Sequence, residues 1–304
     1  MDNIDKEIIL ALDRNCRISY QAMSKDLGIS PNAVRKRLNS LLESGIIEEF
    51  VVLLRPAMTG CDYLVALVYT DGGEDEDEMI NYFGSNLGLV QAGQIVTSSN
   101  RLYFINAEYE SAQNLKELAT FFRSNEHVTN IELHTIPLPR GGLLTVKRLH
   151  LQVLKLLLED ARMPVNQIAK ELGMASRRVS RAIREMQESN AFWFSARWNL
   201  SLGNNTEFYL KIHYDEKISS KEIADTWLRE NYPLEYWFSF YSAMEPVMFA
   251  KFVTEHFREA EIIARNVKNT PFSLSVDVML SYPVRKFTRL GTLKIQEMIH
   301  EAGL

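Results

Sequence analysis

The chain repeats itself. Moved along itself by 145 residues, RISYQAMSKDLGISPNAVRKRLNSLLESGII (17–47) aligns with RMPVNQIAKELGMASRRVSRAIREMQESNAF (162–192). At that one offset Arg17 meets Arg162, Lys25 meets Lys170, Leu27 meets Leu172 and Gly28 meets Gly173. Val34 meets Val179, Leu38 meets Ile183 and Ser44 meets Ser189. The register continues: Tyr69 falls on Tyr214, Phe104 on Phe249, Glu110 on Glu255, Ile131 on Val276 and Arg140 on Arg285. A gap-free offset over nearly the whole chain implies a duplicated unit of 145 residues. It excludes a solenoid, whose repeats run to about 20–50 residues.

Within each unit, the first third has helical spacing. Ile4, Ile8, Ala11 and Leu12 form one apolar stripe over residues 4–13,. Ser19 suits the cap of a second helix with Tyr20, Met23 and Leu27 inward, and Gly28 suits its left-handed end. Ser30-Pro31 then reads as N-cap and first helical residue. Val34, Leu38, Leu41 and Leu42 form the inner face of that third helix, Gly45 ends it, and IIEEFVVLL reads as the strand of a wing. Helix, glycine turn, helix is the helix-turn-helix signature, and its second helix is the one that enters the major groove. Off the apolar stripe stand Asn32, Arg35, Lys36 and Asn39, side chains suited to base edges and phosphates. The second copy repeats the plan, with Val179, Ile183 and Met186 inward and Arg177, Arg178, Ser180, Arg181 and Arg184 on the other faces. The competing reading of these arginines is a solvated face paired with Glu185 and Glu188; two copies of the turn motif weigh against it.

Charge distribution agrees. The net charge of −5 argues against a polyanion partner, but residues 140–197 hold 11 Lys/Arg against 5 Asp/Glu,. Distribution, not the total, is what a phosphate backbone senses.

The segment IDKEIILALDRNCRISYQAMSKDLGISPNAVRKRLNSLLESGII resembles the N-terminal DNA-binding domain of Lrp/AsnC regulators, through IDKEII, LGIS and LLESGII. The resemblance covers each half once, the second half more loosely, and implies a covalently linked pseudo-dimer. After each wing, YLVALVY (63–69) and FYLKIHY (208–214) begin a β-rich stretch in the order βαββαβ, a ferredoxin-like sandwich,. The expected fold class is therefore α+β: a winged helix-turn-helix plus a ferredoxin-like (RAM-type) module, the pair duplicated in tandem. The expected boundaries are 1–60 and 141–203 for the winged domains, 61–140 and 204–288 for the α/β modules, and 289–304 for a helical tail carrying Leu293, Met298 and Ile299 on one face. Helices cover one face of such a sheet, so the two apolar faces left over should pack on each other.

The family's effector site lies at a domain contact, around a glycine turn and an acid before the third strand. The matching stretches read TSSNRLYF (97–104) and SAMEPVMF (242–249). Ser98 and Ala243 stand at the glycine and Arg101 and Pro246 at the acid, so the expected effector residues are Ser98, Arg101, Ala243 and Glu245, with departures that put the usual amino-acid ligand in doubt. An arginine there suits a carboxylate or another anion. The resemblance further implies double-stranded DNA as partner, a small-molecule effector at the inter-sheet interface, and self-association. An enzymatic alternative also comes from resemblance: fused Lrp-like halves form siroheme decarboxylases, for which Arg101, His134 and His213 are candidate groups. A third reading is a sensor or assembly protein without DNA binding.

Remaining features point to ordinary roles. Cys16 and Cys61 lack CxxC spacing and sit among apolar neighbours. The run DGGEDEDE (71–78) lacks the ligand spacing of an EF-hand and suits a helix start. His127, His134, His150, His213, His256 and His300 show no metal-ligand spacing, so no metal or cofactor is expected. MDNIDKEII lacks the basic, apolar pattern of a secretory signal and no run reaches a membrane span, which leaves the cytoplasm as the expected compartment.

Overall fold

The computed structural model describes residues 1–96, 101–203, 205–281 and 284–304. In chain order the first half holds α1 (Asn3–Arg14), α2 (Tyr20–Leu27), α3 (Pro31–Glu43), β1 (Ile47–Leu54), α4 (Pro56–Thr59), β2 (Asp62–Thr70), α5 (Glu76–Gly84), β3 (Leu89–Val96), β4 (Leu102–Tyr109), α6 (Ala112–Arg123) and β5 (Val128–Ile136). The second half holds α7 (Arg148–Leu157), α8 (Val165–Glu171), α9 (Ser176–Glu188), β6 (Phe192–Trp198), β7 (Thr206–Tyr214), α10 (Lys221–Asn231), β8 (Tyr236–Tyr241), β9 (Val247–Thr254), α11 (Phe257–Lys268), β10 (Ser273–Ser281), β11 (Arg285–Lys286) and α12 (Leu290–Glu301). Two compact units result. One gathers Met1–Gly60, Pro139–Gly203 and Leu290–Leu304; the other gathers Cys61–Leu138 and Asn204–Arg289. Like modules from the two halves thus cluster together.

In the helical unit, the local signals work as written. Ser19 Oγ caps Ala22 N (3.1 Å) and Ser30 Oγ caps Ala33 N (3.2 Å). Gly28 and Gly173 both turn at positive φ, 66° and 61°, where a Cβ would be strained,. Val34, Leu38 and Leu41 are buried, as are Val179, Ile183 and Met186, but Leu42 lies on the solvent side. Ile9, outside the expected stripe, is fully buried with Ile8 and Leu12.

The wings differ from expectation: among the described residues neither half makes a wing hairpin of its own, and β1 pairs antiparallel with β6. Phe50 faces Ala196 and Val51 faces Ser195. The 145-residue offset exchanges these two pairs, so a pseudo-twofold axis passes between them. Around it, Arg17 donates to the carbonyls of Ala161 (2.6 Å) and Met163 (3.0 Å), while Arg162 donates to those of Cys16 and Ile18. Each arginine clamps the residues flanking its own counterpart. The tail is part of this unit: Ile295 and Ile299 of α12, rather than Leu293, are buried with Val52, Leu54, Leu151 and Val153.

In the α/β unit, eight strands form one path, β5-β2-β4-β3-β10-β7-β9-β8, with β11 beside β3. Each βαββαβ module buries its helices on one face. Val65, Leu67, Phe104 and Ile136 of the first module meet Tyr209, Val247, Phe249 and Met279 of the second on the other face. Phe104 and Tyr209 stack at 4.7 Å. The path nearly closes, because Ala243 N, beyond β8, donates to Thr135 O of β5 (2.8 Å).

The gap-free repeat needs one correction here. Asp62 pairs with Tyr109 and Thr206 with Thr254, so β2 and β7 correspond at an offset of 144 while β4 and β9 keep 145. Tyr69 therefore matches His213, and Thr70 matches Tyr214. Because side chains alternate across a strand, that one-residue slip decides which residues meet the opposite sheet.

Candidate nucleic-acid interface

Two helices present the expected side chains. On α3, Asn32, Arg35, Lys36 and Asn39 are all exposed. Arg37 on the same helix points elsewhere: it bridges Asp2, the N-cap of α1, and Asp5 within α1 at 2.8 Å each and fastens α3 to its support. On α9, Arg177, Arg178, Arg181 and Arg184 are exposed and Ser180 is half-buried. Among the described residues Arg177, Arg178 and Arg184 have no ion pair. Arg181 bonds Glu185 through Nε at 2.9 Å.

Glu185 is a local anchor rather than a neutraliser of the whole face. Lys147 N donates to His150 Nδ1 (3.1 Å), so the imidazole proton sits on Nε2, which donates to Glu185 (3.0 Å),. Lys147 Nζ adds a contact at 3.3 Å. Arg181, His150 and Lys147 together hold the Glu185 carboxyl down at about 2. The buried imidazole thereby ties α9 to α7, leaving the other three arginines outward. Four guanidinium groups within eight residues repel one another, and a polyanion is the partner that relieves this.

The expected effector residues are scattered. Ser98 lies outside the described residues. Ala243 and Glu245 sit in the exposed β8–β9 turn. Arg101 donates to the carbonyl of Glu74 (2.7 Å). Between the sheets, a cavity of about 510 Å³ is lined by Leu67, Tyr69, Val96, Leu102, Lys211, Asp277, Val278 and Met279. At its side Glu132 takes the Tyr69 hydroxyl (2.7 Å) and Lys211 Nζ, with His134 Nε2 at 3.6 Å, an ion-pair distance longer than a hydrogen bond. His134, Lys211 and Tyr69 pull the Glu132 carboxyl down to about 2. Sequence reasoning missed Lys211 and Glu132, since only the register of β7 turns Lys211 inward. No hydrogen bond or ion pair joins Arg101, His134 and His213 among the described residues.

The winged helix-turn-helix DNA-binding family matches residues 1–48 and again 147–190. An uncharacterized HTH-type transcriptional regulator of Pyrococcus furiosus is 27% identical over 117 residues, 38% of this chain and 78% of that protein. The HTH-type transcriptional regulator LrpA of Pyrococcus horikoshii is 40% identical over 60 residues, 20% of this chain and 43% of LrpA. Among solved structures, the siroheme decarboxylase NirDL matches with a TM-score of 0.56 at 14% identity, over 99% of this chain and 100% of that one. At that identity the likeness is one of fold.

Proposed function

We propose that this chain is a tandem Lrp/AsnC-like protein, a sequence-specific DNA-binding transcription regulator that reads duplex DNA as a covalent pseudo-dimer. The observation that carries the reading is the pair of outward-facing third helices, α3 and α9, related by the axis through the β1–β6 ribbon. The DNA-contacting residues are Asn32, Arg35, Lys36 and Asn39 on one helix and Arg177, Arg178, Ser180, Arg181 and Arg184 on the other. Matched positions differ: Asn32 against Arg177, Arg35 against Ser180, Lys36 against Arg181, Asn39 against Arg184. A symmetric dimer demands a palindrome; two unlike helices do not. Because arginine reads guanine best, the preferred site is asymmetric, with its G-richer half under α9. Half-sites should lie about one helical turn, roughly 34 Å, apart or a multiple of it. Selection from random duplexes tests this. An asymmetric consensus supports the reading; a perfect palindrome, or no enrichment, overturns it.

The cavity between the sheets supports the other half of the reading, a small-molecule effector. Lys211, paired with Glu132, and Asp277 set polar groups beside an apolar wall, which suits a small ligand with a polar end and an apolar body,. The same space is where a siroheme decarboxylase-type activity would reside. A ligand whose binding is indifferent to Lys211→Met would remove the cavity from both readings.

A further inference from the structure

The loop after β2 and the turn before β5 bring together three groups that lie far apart in sequence. One ligand atom each from Asp71, Glu74 and His127 lies within 4.8 Å of the other two. His127 Nδ1 is 3.1 Å from Asp71 Oδ1, and Asp71 N donates to His127 O (3.0 Å), so the two segments are pinned in both side chain and backbone. Glu74 is the unusual member. The residue is 7% exposed. Its Oε1 accepts from the Thr70 hydroxyl (2.8 Å) and the Tyr103 hydroxyl (2.9 Å). Its Oε2 is buried with no hydrogen-bond partner among the described residues. A buried carboxylate oxygen without a partner carries an uncompensated desolvation cost, larger when charged. Arg101 does not relieve it: the guanidinium donates to the Glu74 carbonyl and stands 3.9 Å from Oε1.

We propose that Asp71, Glu74 and His127 bind a divalent first-row transition metal ion, with water completing its coordination. One imidazole and two carboxylates are a mixed nitrogen–oxygen set, which favours zinc, manganese or cobalt over calcium or magnesium. Two ligands of one ion at about 2.0–2.2 Å stand at most about 4.4 Å apart, so atoms within 4.8 Å of one another would reach it after closing by a few tenths of an ångström. His127 Nδ1 and Asp71 Oδ1, 3.1 Å apart, stand at about the spacing of two ligand atoms around one such ion,. Binding would complete the coordination of Glu74 Oε2 and lock the loop that carries the Arg101 contact. The inference is independent of the DNA reading.

The experiment is calorimetric titration of the chelator-treated full chain with zinc, manganese and magnesium chlorides, alongside cobalt(II) absorption. The expected result is one site per chain for zinc and cobalt, a visible cobalt band, and a rise of a few degrees in melting temperature. Loss of an outer partner alone weakens metal sites about 10–100-fold, so His127→Asn should weaken binding about 100-fold or more. His127 is partly exposed and its replacement leaves the fold intact, which circular dichroism checks. Asp71→Asn is the second variant, with the same expected direction. No zinc or cobalt binding at micromolar concentration overturns the proposal. So does binding unchanged in both variants, or magnesium binding as tight as zinc and indifferent to His127.

Discussion

Replacing Arg177, Arg178 and Arg184 together by alanine removes the three arginines of α9 that have no ion pair among the described residues. Each phosphate neutralised contributes about 0.9 to the slope of log affinity against log salt. If all three meet phosphates, the slope falls by about 2.7, and the fourfold rise from 50 to 200 mM salt becomes about 40-fold less damaging to the variant than to the parent. Arg181 is left in place because Glu185 already holds it at 2.9 Å, so its share in DNA binding is discounted. The matching change on α3, Arg35→Ala with Lys36→Ala, should lower the slope by about 1.8. Fluorescence anisotropy on a labelled duplex across a salt series measures both. The positions are exposed, so thermal stability should move by no more than about 0.5 kcal/mol. A folded triple variant with unchanged affinity and slope would refute the assignment of α9 as a reading helix.

Three further outcomes follow from the interior. Arg17→Met removes two charge-assisted bonds to Ala161 and Met163 carbonyls, and urea unfolding should show a loss of about 2–3 kcal/mol,; a loss below about 0.5 kcal/mol would remove the clamp from the account. Glu132, held down at about 2 by His134, Lys211 and Tyr69, adds stability that is fully present above the ordinary carboxylate value and lost as pH falls through about 2,. Glu132→Gln should therefore flatten the stability profile between about pH 4.5 and pH 2, and an unchanged profile would contradict that. Burial pushes the Cys16 thiol up to about 12, so iodoacetamide at pH 8 should modify it only after unfolding, as mass spectrometry would show,.

What the sequence disclosed depended on how local the signal was. Ser30-Pro31, Ser19 and Gly28 act on their own neighbours: α2 begins and ends, and α3 begins, where those residues put them. The stripe of α9 was legible for the same reason. The register of β2 was not, because every residue from Tyr63 to Val68 is buried: with both faces covered there is no alternation to fix which face is which,. The 144-residue offset, and with it the inward position of Lys211, is visible only in strand pairing. Ile295 escaped notice because the partner surface of α12 comes from residues more than 130 positions away. His127 likewise meets Asp71 across 56 residues, a proximity no spacing rule would reveal.

The β1–β6 ribbon has a consequence for how such a protein can change. In an ordinary twofold dimer every substitution is made twice, and a gain on one half-site is imposed on the other. Here the partner strand is supplied by the same polypeptide. Its local concentration is fixed by the intervening chain, so dilution does not part the halves. A substitution on α9 is made once and leaves α3 as it was. The exposed faces of α3 and α9 are free to diverge from each other, while Arg17 and Arg162 keep the two helical halves in one frame.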